Sequence, residues 1–132
     1  MIPVRLSRIL ISETSEQQVI WLREISGERG FPIVIGFFEA AAIDRNVKEI
    51  RPPRPLTHDL LARVIEGLGS ELERIEITAL KESTFYATLV LSRNGDEVRI
   101  DSRPSDAIAL AAGTGAPILV SEEVMSAAAQ TT

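Results

Sequence analysis

One stretch constrains the rest of this chain: Glu97-Val98-Arg99-Ile100-Asp101-Ser102-Arg103-Pro104-Ser105-Asp106-Ala107-Ile108-Ala109-Leu110-Ala111. Val98 and Ile100 alternate with Glu97, Arg99 and Asp101, the period-2 pattern of a strand with one buried face. Pro104 suits the first turn of a helix, where its missing N–H costs nothing. Ile108, Ala111 and Ala112 then follow at helical spacing. A strand that turns directly into a helix leaves its polar residues at the junction, beside free helix-start N–H groups. Asp101, Ser102, Arg103, Ser105 and Asp106 occupy that junction. The same residues could equally serve as helix caps and a surface ion pair.

The elements on either side fix the fold class. Asn94-Gly95 is a two-residue hairpin signal, so strands over 85–92 and 97–101 should pair antiparallel. Upstream, the pattern gives a strand over about 3–11 with a bulge where the alternation slips, a short strand over 19–22 buried on both faces, and a strand over 31–36. A helix over 38–47 follows, then the stiff segment Arg51-Pro52-Pro53-Arg54-Pro55. Thr57 is placed to cap the next helix, whose Leu61, Val64, Ile65 and Leu68 recur at the spacing of a core-facing stripe. Ile75 and Ile77 mark a half-buried strand, Pro117–Val120 a last short strand, and Glu122–Ala129 a C-terminal helix. This order predicts an α+β fold: one compact domain over residues 1–130, with a mixed, largely antiparallel sheet and about four helices.

Composition excludes several classes of function. The chain has no cysteine, so disulfides, thiolate metal sites and cysteine nucleophiles are out. It has no basic-then-apolar leader and no apolar run near ~18 residues, so the expected setting is cytoplasmic, with no membrane partner. A net charge of −5 argues against a strong non-specific grip on nucleic acid, while leaving room for a local basic groove. Phosphate-loop, HExxH and GxSxG signatures are absent. His58 is the single histidine, so imidazole acid–base chemistry must run through it. Glu39, Asp59, Asp101, Asp106 and Glu122 sit at element ends, where a hard cation such as Mg²⁺ or Mn²⁺ would find oxygen ligands. Asp101 and Asp106 are the metal candidates. Most aromatic residues fall in apolar, core-like stretches, which weakens the case for a base-stacking platform.

Several motifs come in an order that resembles the bifunctional nuclease (BFN) domain family. They are Ile35-Gly36 with Phe38-Glu39-Ala40, Arg51-Pro52-Pro53-Arg54-Pro55-Leu56-Thr57-His58-Asp59-Leu60-Leu61, Phe85-Tyr86-Ala87, Ile100 through Ala111, and Pro117-Ile118 with Glu122-Glu123-Val124. The match runs over about 31–128. The resemblance implies a compact α+β domain found in bacteria and plants, acting on DNA and RNA. It carries Glu39, Thr57, His58, Asp59, Asp101, Arg103, Ser105 and Asp106 over as motif residues. One departure is Phe37, where members often have proline after the Ile-Gly.

Two functions follow as expectations. In the first the chain is a nuclease, a phosphodiester hydrolase. His58 is acid or base, with Asp59, Asp101, Asp106 and Glu39 as the catalytic carboxylates. Arg54, Arg103, Ser105 and Thr57 bind substrate. In the second it is a non-catalytic binding or oligomeric module, a homo-oligomer, whose motif residues cap helices. The first requires the two motif segments to lie within roughly 12 Å of each other, the span of two side chains and a bridging ion.

Overall fold

The computed structural model describes residues 1–129. Its elements are β1 (Ile2–Leu10), β2 (Gln17–Glu24), β3 (Gly30–Gly36), α1 (Phe37–Val47), α2 (Thr57–Gly67), β4 (Glu71–Lys81), β5 (Thr84–Arg93), β6 (Asp96–Ser102), α3 (Pro104–Thr114), β7 (Ile118–Val120) and α4 (Glu122–Ala128). The fold is α+β, with a seven-stranded mixed sheet in the order β3-β2-β1-β7-β4-β5-β6. Two antiparallel meanders, β1-β2-β3 and β4-β5-β6, are joined by β7, which pairs antiparallel with β1 and parallel with β4.

The turns explain the register. Asn94 and Gly95 both take left-handed backbone, φ 51° and 83°, as a type I′ hairpin requires. Glu82 and Ser83 do the same between β4 and β5, at φ 50° and 62°, with neither glycine nor asparagine to relieve the conformation. The bulge expected in β1 lies between Leu6 and Arg8. Pro32 is accommodated because β3 is an edge strand.

The sheet rolls towards closure. Phe31 of β3 stacks on Phe85 of β5, with ring centroids 5.4 Å apart, although the two strands lie far apart in the sheet order. One face of the rolled sheet holds the core. Ile20, Leu22, Phe31, Ile33, Ile75, Ile77, Leu89 and Val120 meet Ile43 of α1, Ile108 and Leu110 of α3 and Met125 of α4 there. Six residues of α3, Ser105 and Ala107–Ala111, are buried, as expected for a helix without a polar face.

Three expectations need correction. β6 buries neither face: Val98 and Ile100 are exposed on a strand at the edge of the sheet. β2 alternates instead of burying both faces: Ile20 and Leu22 are buried while Val19 and Trp21 are half-exposed. Most of the apolar stripe of α2 does not enter the core. Leu61, Val64 and Leu68 are exposed, as is Leu60, and of the stripe only Ile65 packs inward, beside Ala62. The periodicity is real, but the inward face is the adjacent one, which also carries His58.

Candidate active site

Three element starts converge. Gly36 ends β3, and the first turn of α1 then sets Glu39 back over it, 8% exposed. A Cβ on Gly36 would stand 2.4 Å from Oε2 of Glu39, so the glycine makes room for that carboxylate. β6 ends at Ser102, and α3 starts at Pro104 with Arg103 as its N-cap residue. α2 starts at Thr57. Its His58 lies on the same side as Ala62 and Ile65, by the i, i+4, i+7 spacing, and so points at α3.

These starts assemble one hydrogen-bonded chain of four side chains. His58 Nε2 is 2.9 Å from Asp106 Oδ1. Arg103 Nε donates to Asp106 Oδ2 at 3.0 Å. The Arg103 Nη2 donates to Glu39 Oε1. The two motif segments expected to share a site are therefore in direct contact. Burial pushes the Asp106 carboxyl up, but the bonds from Arg103 and His58 outweigh it and hold the group below its ordinary value. Asp106 and Glu39 in turn hold Arg103 more firmly protonated than a free guanidinium. The His58 side chain is 14% exposed and that of Arg103 is 67% exposed, so the imidazole is sheltered and the guanidinium meets solvent.

Arg103, Pro104 and Ser105 also line a cleft of about 580 Å³. One wall is the edge strand β3 from Pro32 to Gly36; the other is Ser83, Thr84 and Phe85 at the β4–β5 turn. In this second wall Phe85 opens the Phe85-Tyr86-Ala87 motif, whereas Ser83 and Thr84 carried no motif signal in the sequence. Gly36 did, as the Ile35-Gly36 immediately before Glu39.

The remaining candidates lie outside this hydrogen-bonded chain. Asp59 accepts the Leu56 backbone N–H at 3.0 Å and so caps α2, the role expected of Thr57. Thr57 is exposed. Arg54 is exposed and lines a separate cleft with Arg51, Arg63 and Asp59. Ser105 is buried at the start of α3 and lines the same cleft as Arg103. Asp101 pairs with Thr88, one residue from the Ile100–Leu89 pair, which puts it on the sheet face opposite the buried Leu89. It does not join the four-residue chain.

The donor set does not fit a resident divalent cation. Both oxygens of Asp106 are engaged by His58 and Arg103, and Glu39 is bonded to Arg103. Among the described residues no group of three or more His, Asp or Glu side chains could hold a metal ion.

The bifunctional nuclease domain model matches residues 20–132. The chain belongs to the bifunctional nuclease domain family. An uncharacterized protein of Mycobacterium tuberculosis (strain CDC 1551 / Oshkosh) is 44% identical over 125 residues, covering 95% of this chain and 74% of that one. Bifunctional nuclease 2 of Oryza sativa subsp. japonica is 28% identical over 114 residues, 83% of this chain and 35% of its own length. Bifunctional nuclease 1 of Oryza sativa subsp. indica is 27% identical over 96 residues, 70% of this chain and 29% of its own. No helix of the described residues is long and apolar enough to cross a membrane.

Proposed function

We propose that this domain hydrolyses phosphodiester bonds in DNA and RNA at the cleft beside the start of α3. The observation that carries the proposal is the chain Glu39–Arg103–Asp106–His58, which joins both family segments and reaches an open cleft through Arg103. Asp106 orients His58 by binding Nε2, which leaves Nδ1 to take or return the proton of the attacking hydroxyl or water. Arg103, fixed by two carboxylates, presents its exposed edge to a phosphate and offsets the charge that develops there. Ser105 and Asp106 stand in the first turn of a helix with no side-chain cap, which also favours an anion. No step is assigned to a metal ion, because the side chains do not form a ligand set for one.

A second reading, the non-catalytic module, is favoured by one observation: every member of the four-residue chain is bonded to another member. One experiment separates the two. Purified protein is tested on labelled single-stranded RNA and duplex DNA, with Mg²⁺, with Mn²⁺ and with EDTA, so that a cation delivered with the substrate is read separately. Folded His58→Ala and Arg103→Gln variants run beside it. Cleavage that disappears in both variants supports the nuclease. Cleavage equal in all three proteins removes the site. No cleavage in any condition leaves the binding module.

A further inference from the structure

The face of the sheet turned away from the core holds a cluster of arginines. Arg5 of β1 lies directly opposite Arg23 of β2, a like-charge cross-strand pair that costs stability. The next outward pair is Arg8 with Trp21. Arg8 reaches that face only because of the bulge between Leu6 and Arg8; unbroken alternation would put Ser7 opposite Trp21. The displaced Ser7 hydroxyl donates to the Trp21 carbonyl at 3.3 Å, which ties the bulge to that strand position. All three arginines are exposed, and none has an ion pair among the described residues. In a chain of net charge −5, this local excess is not a compositional accident of a basic protein.

The patch is also continuous with the candidate site. Trp21 is paired with Pro32, and Val19 with Val34, on the same outward face. Pro32 and Val34 belong to the edge strand and line the cleft that contains Arg103. A path therefore runs from the arginines, across Trp21, over the sheet edge and down to Arg103.

We propose that this face is a docking track for single-stranded nucleic acid. Arg5, Arg8 and Arg23 take backbone phosphates, Trp21 stacks on a base, and the strand continues over β3 towards the cleft. An open surface with several cations and one aromatic ring fits a flexible polyanion with π-faces better than a compact anion, which needs a pocket. The proposal rests on the nuclease reading for what happens at the cleft, but the binding itself does not depend on cleavage.

Trp21 is the only tryptophan in the chain, so its fluorescence reports the patch directly. Fluorescein-labelled oligouridylate of about 20 nucleotides is titrated in EDTA, following both anisotropy and Trp21 emission. The wild type is expected to bind with quenching of Trp21. The double variant Arg5→Gln/Arg23→Gln is expected to bind at least about tenfold more weakly. Its salt slope should be shallower by about 1.4, because each phosphate neutralised on a single strand contributes ~0.7. That variant relieves a like-charge pair, so its melting temperature should not fall. Trp21→Phe keeps a stacking ring and should retain most of the affinity. Unchanged affinity in the double variant overturns the proposal, as does binding without any change in Trp21 emission. Binding of anionic lipid vesicles but not of the oligonucleotide overturns it too, as does a concentration-dependent dimer that the arginine variant dissociates. Asp106→Asn separates the two claims. Loss of cleavage with binding intact supports both; cleavage without the fluorescence change sinks the docking track alone; binding without cleavage in any protein sinks the nuclease alone.

Discussion

Gly36→Ala probes how the candidate site is held together. The backbone of Gly36, φ −78° and ψ 165°, suits any residue, so the substitution brings no conformational strain. What it brings is a methyl group 2.4 Å from Glu39 Oε2, where ordinary contact begins near 3.4 Å. The carboxylate must retreat by about 1 Å, which stretches and misaligns its bond to Arg103. A bond between charged groups contributes about 1.5–3 kcal/mol. Arg103 is mostly exposed and can rehydrate, which reduces the loss to about 1 kcal/mol. The lower entropy of the unfolded alanine chain returns about 0.4–1 kcal/mol. Stability should therefore move little, by a few degrees at most, while cleavage falls because Arg103 has lost one of its two anchors. The decisive assay is a double-mutant cycle. On a Glu39→Ala background the added Gly36→Ala methyl meets no carboxylate, so only the entropy gain remains: it should stabilise by about 0.4–1 kcal/mol there and leave the cleavage rate unchanged. Effects that simply add, within about 0.3–0.5 kcal/mol, refute the idea that Gly36 acts through Glu39.

The Glu76 carboxyl is pushed up by burial but held low overall by Arg74 and Arg99, and Asp106 is likewise held low. A depressed carboxyl stabilises fully above its unfolded pKa and loses that contribution as pH falls through the folded one. Melting temperature should thus drop below about pH 4, and Glu76→Gln, less stable at neutral pH, should show a shallower acid limb in a melting series; an unchanged limb refutes this. Ser83→Gly should stabilise by about 1 kcal/mol, because φ 62° strains serine and not glycine; chemical denaturation checks it. Met125→Ala should cost about 2–5 kcal/mol, whereas Leu60→Ser on the exposed stripe of α2 should stay within about 0.5 kcal/mol; equal losses in denaturant midpoints would contradict the burial pattern.

Local chemistry made much of this legible. The Asn94-Gly95 turn, the bulge in β1, Pro104 at the start of α3 and the short strand at 118–120 all act within a few residues, and each stands where the pattern placed it. The two motif segments are expected to share one site, and His58 and Asp106 meet across them at 2.9 Å. Other placements were not legible, each for its own reason. Asp101 belongs to the same motif as Asp106, but pleat alternation sends it to the other face of the sheet. Thr57 looked like a cap, yet Asp59 takes the bond. In α2 the apolar period identifies a helix without saying which side meets α3; Ala62 and Ile65 do so, while Leu60, Leu61, Val64 and Leu68 stay outside. The Glu82-Ser83 turn gives no sign in the sequence, since neither residue favours left-handed backbone.

The three-residue strand β7 has a consequence for how the chain reaches this state. Each meander can pair its strands through short connections, but neither can complete the sheet alone, because β1 and β4 both wait for Ile118–Val120. Ile2 and its partner Val120 stand near opposite ends of the sequence, so the closing contacts have high contact order and form slowly. During synthesis the first meander emerges with β1 as an open edge, and it stays open until almost the whole domain has been made. The smallest strand thus sets the interval during which the nascent domain can aggregate.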